Sequence, residues 1–456
     1  MIGTSSESLN TPIPISLPWL NPQRIRRQAL LLAIALWLGY LAAIATPGMR
    51  DRFGHLKGAD FLHPYVLGTL ALERDGGGLY DATVQREIGE RRVPDSAGDY
   101  FLPVYGPQYS LLWVPMARLP YGWAAAIWMA LSAAIYAACC FAVWRTCPNL
   151  RAYGGTVALV AAAFPGFFAL ITFGQNSALA LAAFTGAYLA LRSRRDVLAG
   201  LCLGLLAYKP QLAIVPACVF AARCVWPSRR VGFPAGDTVV GAGTPIVDTA
   251  FFGNTRLSAI KVIIGAAFCI TAQFAAAWAW YGAGPLITYV HVLTHLGSAA
   301  GILEPRPYLM HSLRAFWNLL LPWPDAALAL YILTTAPALA IAAAGWRRPA
   351  PLEHRFAIML LVTVLVAPHL TVYDLVILVP ALLWIADWLQ AHPAPRVAWL
   401  LYFACILPFA GPLARWTHVQ LSVVCLAVLV VDFGVRLWPG KTAAAMALDL
   451  RNNSHV

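Results

Sequence analysis

The chain is short of charge. Only 11% of its 456 residues are Asp, Glu, Lys or Arg, against about 25% in an ordinary soluble domain. A water-soluble protein of this length would not have enough charged groups to cover its surface. Disorder is excluded by the opposite excess: 60% of the residues are apolar and 12% aromatic, and disordered chains are poor in both. Cysteine makes no pattern. No two of the nine stand as CxxC, and most lie inside apolar runs (Cys139, Cys140, Cys202, Cys218, Cys269, Cys405, Cys425). They read as small core hydrophobes, with no disulfide framework and no metal site. There is no internal repeat and no segment with the composition of a soluble domain. What remains is one polytopic, all-α membrane domain over residues 1–456.

Apolar runs cover 28–46, 122–144, 153–171, 176–191, 197–208, 210–222, 258–281, 325–345, 355–368, 374–390, 397–412 and 417–436, which predicts a bundle of about 12 transmembrane helices. The first run ends in Ala-Ile-Ala, so cleavage as a leader stands beside retention as an anchor. The segment 105–118 is apolar but short and broken by Pro107 and Pro115, so it reads as interfacial or re-entrant. The net charge of +12 would suggest nucleic acid in a soluble protein. Here it is explained by loops rich in Lys and Arg on the cytoplasmic side. With twelve spans, 20 of the 32 Lys and Arg fall inside, among them Arg24, Arg145, Arg192, Arg229, Arg347 and Arg436. Eight of the other 12 lie in one long external segment, 47–121, and long segments weigh little in the positive-inside rule. The expected placement is therefore multi-pass in the plasma (inner) membrane, both termini cytoplasmic. A Pro/Gly-rich cytoplasmic connection runs over 227–257, and a second external loop over 282–324.

With that orientation, five polar clusters fall on the external side. They are Gly58-Ala59-Asp60-Phe61 with Leu79-Tyr80-Asp81; Gly174-Gln175-Asn176-Ser177; Tyr208-Lys209-Pro210-Gln211; the group His291, His295, Glu304, Arg306, His311 and Arg314; and Pro368 to Asp374. Five clusters on one face suggest one site facing the periplasm. The runs flanking Lys209 hold 12 and 13 residues, roughly 18–20 Å each, against a bilayer core of about 30 Å. Lys209-Pro210 therefore lies below the membrane surface, where charge and broken backbone are tolerated beside a protein-lined cavity. The side chain either snorkels to the interface or meets an anion such as a lipid phosphate. Asp60 reads as a general base or a helix N-cap. Asp81 reads as a cap. Gln175 and Asn176 either bind sugar hydroxyls or cap the next span. His369 and Tyr373 share a face if their turn is helical.

The arrangement resembles the GT-C class of integral-membrane glycosyltransferases, and within it glycosyltransferase family 87, the polyprenol-phosphate-mannose-dependent alpha-mannosyltransferases. The resemblance rests on Asp60-Phe61 with Tyr65 and Leu79-Tyr80-Asp81, Tyr105-Gly106-Pro107, Gly174-Gln175 with Ser177, Gly200 and Gly204 leading to Lys209-Pro210, and Ala367-Pro368 with Leu378 and Pro380. It implies an inverting glycosyltransferase with a polyprenyl-phosphate sugar donor, a glycan or glycolipid acceptor and a periplasmic site. Asp60 becomes the base. Lys209 and Arg314 meet the donor phosphate, and Gln175, Asn176, Gln211, His369, Tyr373 and Asp374 contact the sugars. No cofactor is required, because a glycosyl phosphate already carries its leaving group. The rival reading is a secondary transporter of a sugar or anionic solute, against which stand the absent inverted repeat and the one-sided polar residues. A non-catalytic scaffold leaves the Lys-Pro break and the external carboxylates without a role.

Overall fold

The structure is a computed structural model in which residues 20–99, 101–226, 255–295, 306–348 and 350–436 are described. Most of the 227–257 connection and Glu304 lie outside them. The described residues form helices and no strand, with two isolated bridges, Arg50 to Leu56 and Met310 to Thr371.

Helix accounts for most of each of the twelve apolar runs. Among the described residues six helices are long and apolar enough to cross a bilayer: Pro22–Ile44, Tyr121–Trp144, Arg256–Tyr281, Pro324–Arg347, Val372–Ala391 and Pro395–Thr417. A seventh candidate is the pair Pro148–Ala162 and Pro165–Phe173, bent by 48°. Pro165 causes that bend, since it forces Phe164 into an extended conformation and starts a new helix at its first position. The fold is thus an all-α polytopic bundle in which, among the described residues, six or seven helices have spanning length and the other apolar runs fold as shorter helices. The others are short for local reasons. Asp196–Gly204 ends at a break before Pro210, and Leu352–Val366 has 15 residues, 13 of them buried. A helix packed inside protein on all sides meets neighbouring side chains and has no need to match the lipid. The Pro22–Ile44 helix is the opposite case, with Leu31, Leu38 and Leu41 exposed as a lipid-facing surface requires.

The tightest crossing brings Asp196–Gly204 against Thr255–Tyr281. A Cβ on Gly200 would lie 2.0 Å from the Val262 carbonyl oxygen, and one on Gly265 2.2 Å from that of Val197. Small residues let two backbones touch where lipid supplies no hydrophobic drive.

Polar contacts sort to two ends. At one, Arg192 pairs with Glu353 at 2.5 Å, Asp387 accepts from the Asn149 and Leu150 amides, and Arg396 and Arg436 face Asp432. These are loops assigned to the cytoplasm by charge. At the other end lie the described residues of the five clusters assigned outside. The 47–121 segment is itself helical there, through Leu62–Glu73, Ala82–Arg92, Pro107–Leu111 and Val114–Ala117. Asp81 caps Ala82–Arg92 by accepting from the Thr83 and Val84 amides. The 105–118 stretch folds as two short helices, neither able to span.

Candidate active site

Asp60 and Gln175 meet because two glycines allow their turns to touch. Gly58 and Gly174 are both left-handed, at φ +66° and +71°, a conformation glycine adopts without strain. Each ends or starts a helical element: Gly58 precedes the turn Ala59–Phe61, and Gly174 closes Pro165–Phe173. A Cβ on Gly174 would lie 3.0 Å from the Phe61 Cβ and 3.3 Å from the Gly58 Cα. At this approach Gln175 Nε2 donates to Asp60 Oδ2 at 2.6 Å. The Asp60 turn is further held by Tyr121, whose hydroxyl donates to the Gly58 carbonyl at 2.8 Å. Phe61 packs among Trp113, Tyr121 and Trp128. Trp128 Nε1 donates to the Gly174 and Gln175 carbonyls. Asp60 is therefore no N-cap; the cap position belongs to Gly58.

Asn176 stands at the N-cap position of Ser177–Arg192 without a capping bond. Its Nδ2 donates instead to the Tyr109 hydroxyl at 2.5 Å and to the Tyr105 hydroxyl at 3.3 Å. Tyr105, Tyr109 and Tyr208 form a column of near-parallel rings, 4.3 and 5.6 Å between successive centroids. The Tyr208 hydroxyl closes the loop by donating to the Asn176 carbonyl.

Next to Tyr208, Lys209 Nζ lies 2.7 Å from Asp374 Oδ1 and 3.2 Å from the Ser177 hydroxyl. Ser177 Oγ donates to the same Asp374 oxygen at 2.5 Å. Asp374 Oδ2 accepts from the Thr371 amide and hydroxyl, a capping box that starts Val372–Leu378. Lys209 Nζ also lies 5.4 Å from the Tyr373 ring centroid. Lysine and aspartate are buried together, so Lys209 neither snorkels nor stands as a lone cation.

The remaining expected site residues distribute around this centre. His369 precedes the helix, which begins only at Val372, so it does not share a helical face with Tyr373. Arg314 lies in the first turn of the helix Leu313–Leu320, whose approach is tied to the same turn by the His311 amide donating to the Leu370 carbonyl at 2.9 Å and by the Met310 to Thr371 bridge. Gln211 is half-buried two residues after Lys209. His291 and His295 lie on Gly284–His295, which stacks Tyr289 on Tyr80. Reading the sequence missed Tyr109 and Trp128, both buried. The placing of Tyr105 and Tyr109 on either side of Gly106-Pro107, which starts a short helix at Pro107, is the signal that could have found the first.

Burial dominates the charge balance at Asp60. It pushes the carboxyl up to about 6, against the pull of the Gln175 hydrogen bond and the Lys209 charge. A carboxylate in that range is a stronger base than an exposed one and still ionised near neutrality. Gln175 engages only Oδ2, which leaves Oδ1 for an incoming hydroxyl. Among the described residues no three His, Cys, Asp or Glu side chains gather as a metal-binding group. An apolar cavity of about 320 Å³ lies among Leu32, Tyr136, Val160, Leu383 and Leu401; none of the site residues named above lines it.

Residues 103–259 match the sequence profile of glycosyltransferase family 87. The matched stretch contains Tyr105, Tyr109, Gln175, Asn176, Ser177 and Lys209; Asp60 and Asp374 lie outside it and meet it through the contacts above. The match favours a glycosyltransferase over a transporter. No curated protein and no solved structure matches the chain.

Proposed function

We propose that this chain, a membrane glycosyltransferase with the family 87 profile over residues 103–259, transfers a sugar, mannose in the first instance, from a polyprenyl-phosphate donor to a glycan or glycolipid acceptor. The carrying observation is the contact between Asp60 and Gln175, which holds a half-buried carboxylate of raised proton affinity among residues of the matched segment. Asp60 takes the proton from an acceptor hydroxyl. The acceptor oxygen attacks the anomeric carbon as the bond from that carbon to the phosphate oxygen breaks, and polyprenyl phosphate leaves with the electron pair. One displacement inverts the anomeric centre, and no second carboxylate at glycosidase spacing is needed.

The charge of Lys209 is felt at Asp60. Two of its three ammonium hydrogens are directed at Asp374 and Ser177, which aims the third and offsets charge that develops on the leaving phosphate. Arg314 supplies a second positive group from the adjoining 306–320 segment. Gln175, Asn176, Gln211, His369, Tyr373 and Asp374 surround the sugars directly or by holding those that do. The Lys and Arg distribution supports a twelve-crossing path with both termini in the cytoplasm and Asp60 facing the periplasm. The decisive experiment incubates purified protein with labelled polyprenyl-phosphate mannose and a membrane lipid extract. Wild type is expected to label an extract component and Asp60→Asn to leave it unlabelled while inserting normally. Full transfer by Asp60→Asn removes Asp60 as the base.

A further inference from the structure

Three residues near Asp60 carry polar atoms or surfaces that the reaction as written does not use. His63 follows Asp60 by three positions along a continuous helical path, so both side chains leave the same face. Its ring is stacked on Phe101 at 5.3 Å and lies 5.4 Å from the Tyr105 ring. His63 is 6% exposed and Asn176 is 3% exposed, yet neither His63 Nε2 nor Asn176 Oδ1 has a hydrogen-bond partner. Burying a polar atom unpaired is unfavourable, and native proteins rarely leave one without a reason. Here two such atoms flank one ring. Burial also holds the His63 imidazole neutral, far below its usual range at about 3, and in the tautomer that carries its proton on Nδ1, Nε2 is an acceptor.

The ring they flank is Tyr105, and it is fixed from several sides. It stacks on Tyr109 at 4.3 Å, its hydroxyl accepts from Asn176, and its carbonyl accepts from the Tyr80 hydroxyl at 3.1 Å. Despite these restraints it remains half-buried, while Tyr109 and Tyr208 beneath it are buried. A rigid, part-exposed aromatic ring beside two unpaired acceptors is the pattern that reads a sugar: the ring packs on the apolar C–H face and the acceptors take hydroxyl hydrogens. We propose that Tyr105, His63 Nε2 and Asn176 Oδ1 form a sugar-recognition wall, with Tyr105 as the stacking platform and the other two as acceptors for hydroxyls of one sugar ring. This inference rests on the glycosyltransferase reading and adds the residues that select its sugar.

The test measures binding without turnover. Citronellyl-phosphate mannose and citronellyl phosphate are titrated into the full-length protein in detergent, and the ratio of their affinities isolates what the sugar contributes. Octyl mannoside forms a separate arm for an acceptor sugar. In one arm wild type is expected to show a sugar-dependent gain of about tenfold, the size of one or two net hydrogen bonds to a hydroxyl. Tyr105→Ala and His63→Phe are expected to reduce it to less than twofold, and Tyr105→Phe, which keeps the ring, to retain most of it. The arm that responds identifies the sugar as donor or acceptor. His63→Phe preserves the stack on Phe101, so it reports on the nitrogen even if Tyr105→Ala fails to fold. An unchanged gain in His63→Phe, or no gain in wild type in either arm, overturns the wall. Transfer by Asp60→Asn, read separately, bears on the base and leaves this binding ratio untouched.

Discussion

The ammonium of Lys209 and the carboxylate of Asp374 lie 2.7 Å apart with their side chains 7% and 4% exposed. This ion pair fastens three elements: the broken helix at Pro210, the start of Ser177–Arg192 and the turn opening Val372–Ala391. Removing one partner strands a buried charge, which typically costs about 3–5 kcal/mol, whereas replacing both by apolar groups is far milder. Lys209→Met and Asp374→Leu are each expected to lower the unfolding midpoint in detergent sharply. The double variant is expected to recover much of that loss while remaining inactive. Two single variants that are as stable as wild type, or losses that simply add, contradict a coupled buried pair.

The approach of the Asp60 turn to Gln175 makes the two glycines separable. A Cβ on Gly58 meets nothing nearer than 3.9 Å, so Gly58→Ala carries only the left-handed backbone term of roughly 1–2 kcal/mol. Gly174→Ala carries the same term plus a 3.0 Å contact with the Phe61 Cβ, and it displaces Gln175 from the carboxylate. Turnover is expected to fall at least tenfold in Gly174→Ala and only a few-fold in Gly58→Ala. Equal activities, measured on the labelled-donor assay, argue that the turn-to-turn contact does not matter to catalysis.

The raised proton affinity of Asp60 gives a signed pH dependence. The carboxylate acts as base when deprotonated, so kcat/KM is expected to fall about tenfold per pH unit below about 6 and to level off above it. Gln175 hydrogen-bonds the ionised form and so pulls the value down. Removing that donor in Gln175→Leu is expected to move the acidic limb to higher pH. A limb that moves the other way, or stays put, separates Asp60 from the observed titration.

The residue classes explain how much was legible beforehand. Long apolar runs and arginine-bearing loops are local signals, and they gave the bundle and the sorting of polar turns to two ends. Pro210 and the short flanking runs announced the break at Lys209. The ion pair with Asp374 was not legible, because it joins residues 165 positions apart, and no periodicity encodes which distant turn supplies a counter-charge. The length of each helix was not legible for a related reason. Apolar composition cannot distinguish a helix facing lipid from one such as Leu352–Val366, enclosed by protein. Asn176 misled by position: it stands where a cap belongs, but its amide is engaged by two tyrosines.

The closest helix crossing yields a contrast within one residue type. Gly200→Ala would place a methyl group 2.0 Å from the Val262 carbonyl oxygen. Backbone cannot yield as a side-chain tip can, so the helices must part, at about 1–3 kcal/mol or more. Gly39 lies on the lipid-facing helix Pro22–Ile44 with nothing within 4 Å of its Cβ position. Gly39→Ala is expected to be neutral or stabilising by up to about 1 kcal/mol. Unfolding midpoints in the same detergent compare them, and similar midpoints for the two variants would show that the crossing is looser than these distances.

Orientation decides which substrates can reach Asp60, so the periplasmic placement has its own test. Alkaline phosphatase is active only after export, and a green fluorescent protein exported unfolded stays dark. Phosphatase fused after Gly77, in the 47–121 segment, is expected to be active. Fluorescent protein fused after Arg195, in the turn bearing Arg192 and Arg194, is expected to glow. Arg192 and Asp60 lie at opposite ends of the bundle by their contacts with Glu353 and Gln175, so the two reporters must be on together or off together, whichever way the chain inserts. Should the pattern come out reversed, Asp60 faces the cytoplasm, where soluble nucleotide sugars are at hand. The argument for a lipid-phosphate donor would then lose its compartment, while the base and its geometry would stand.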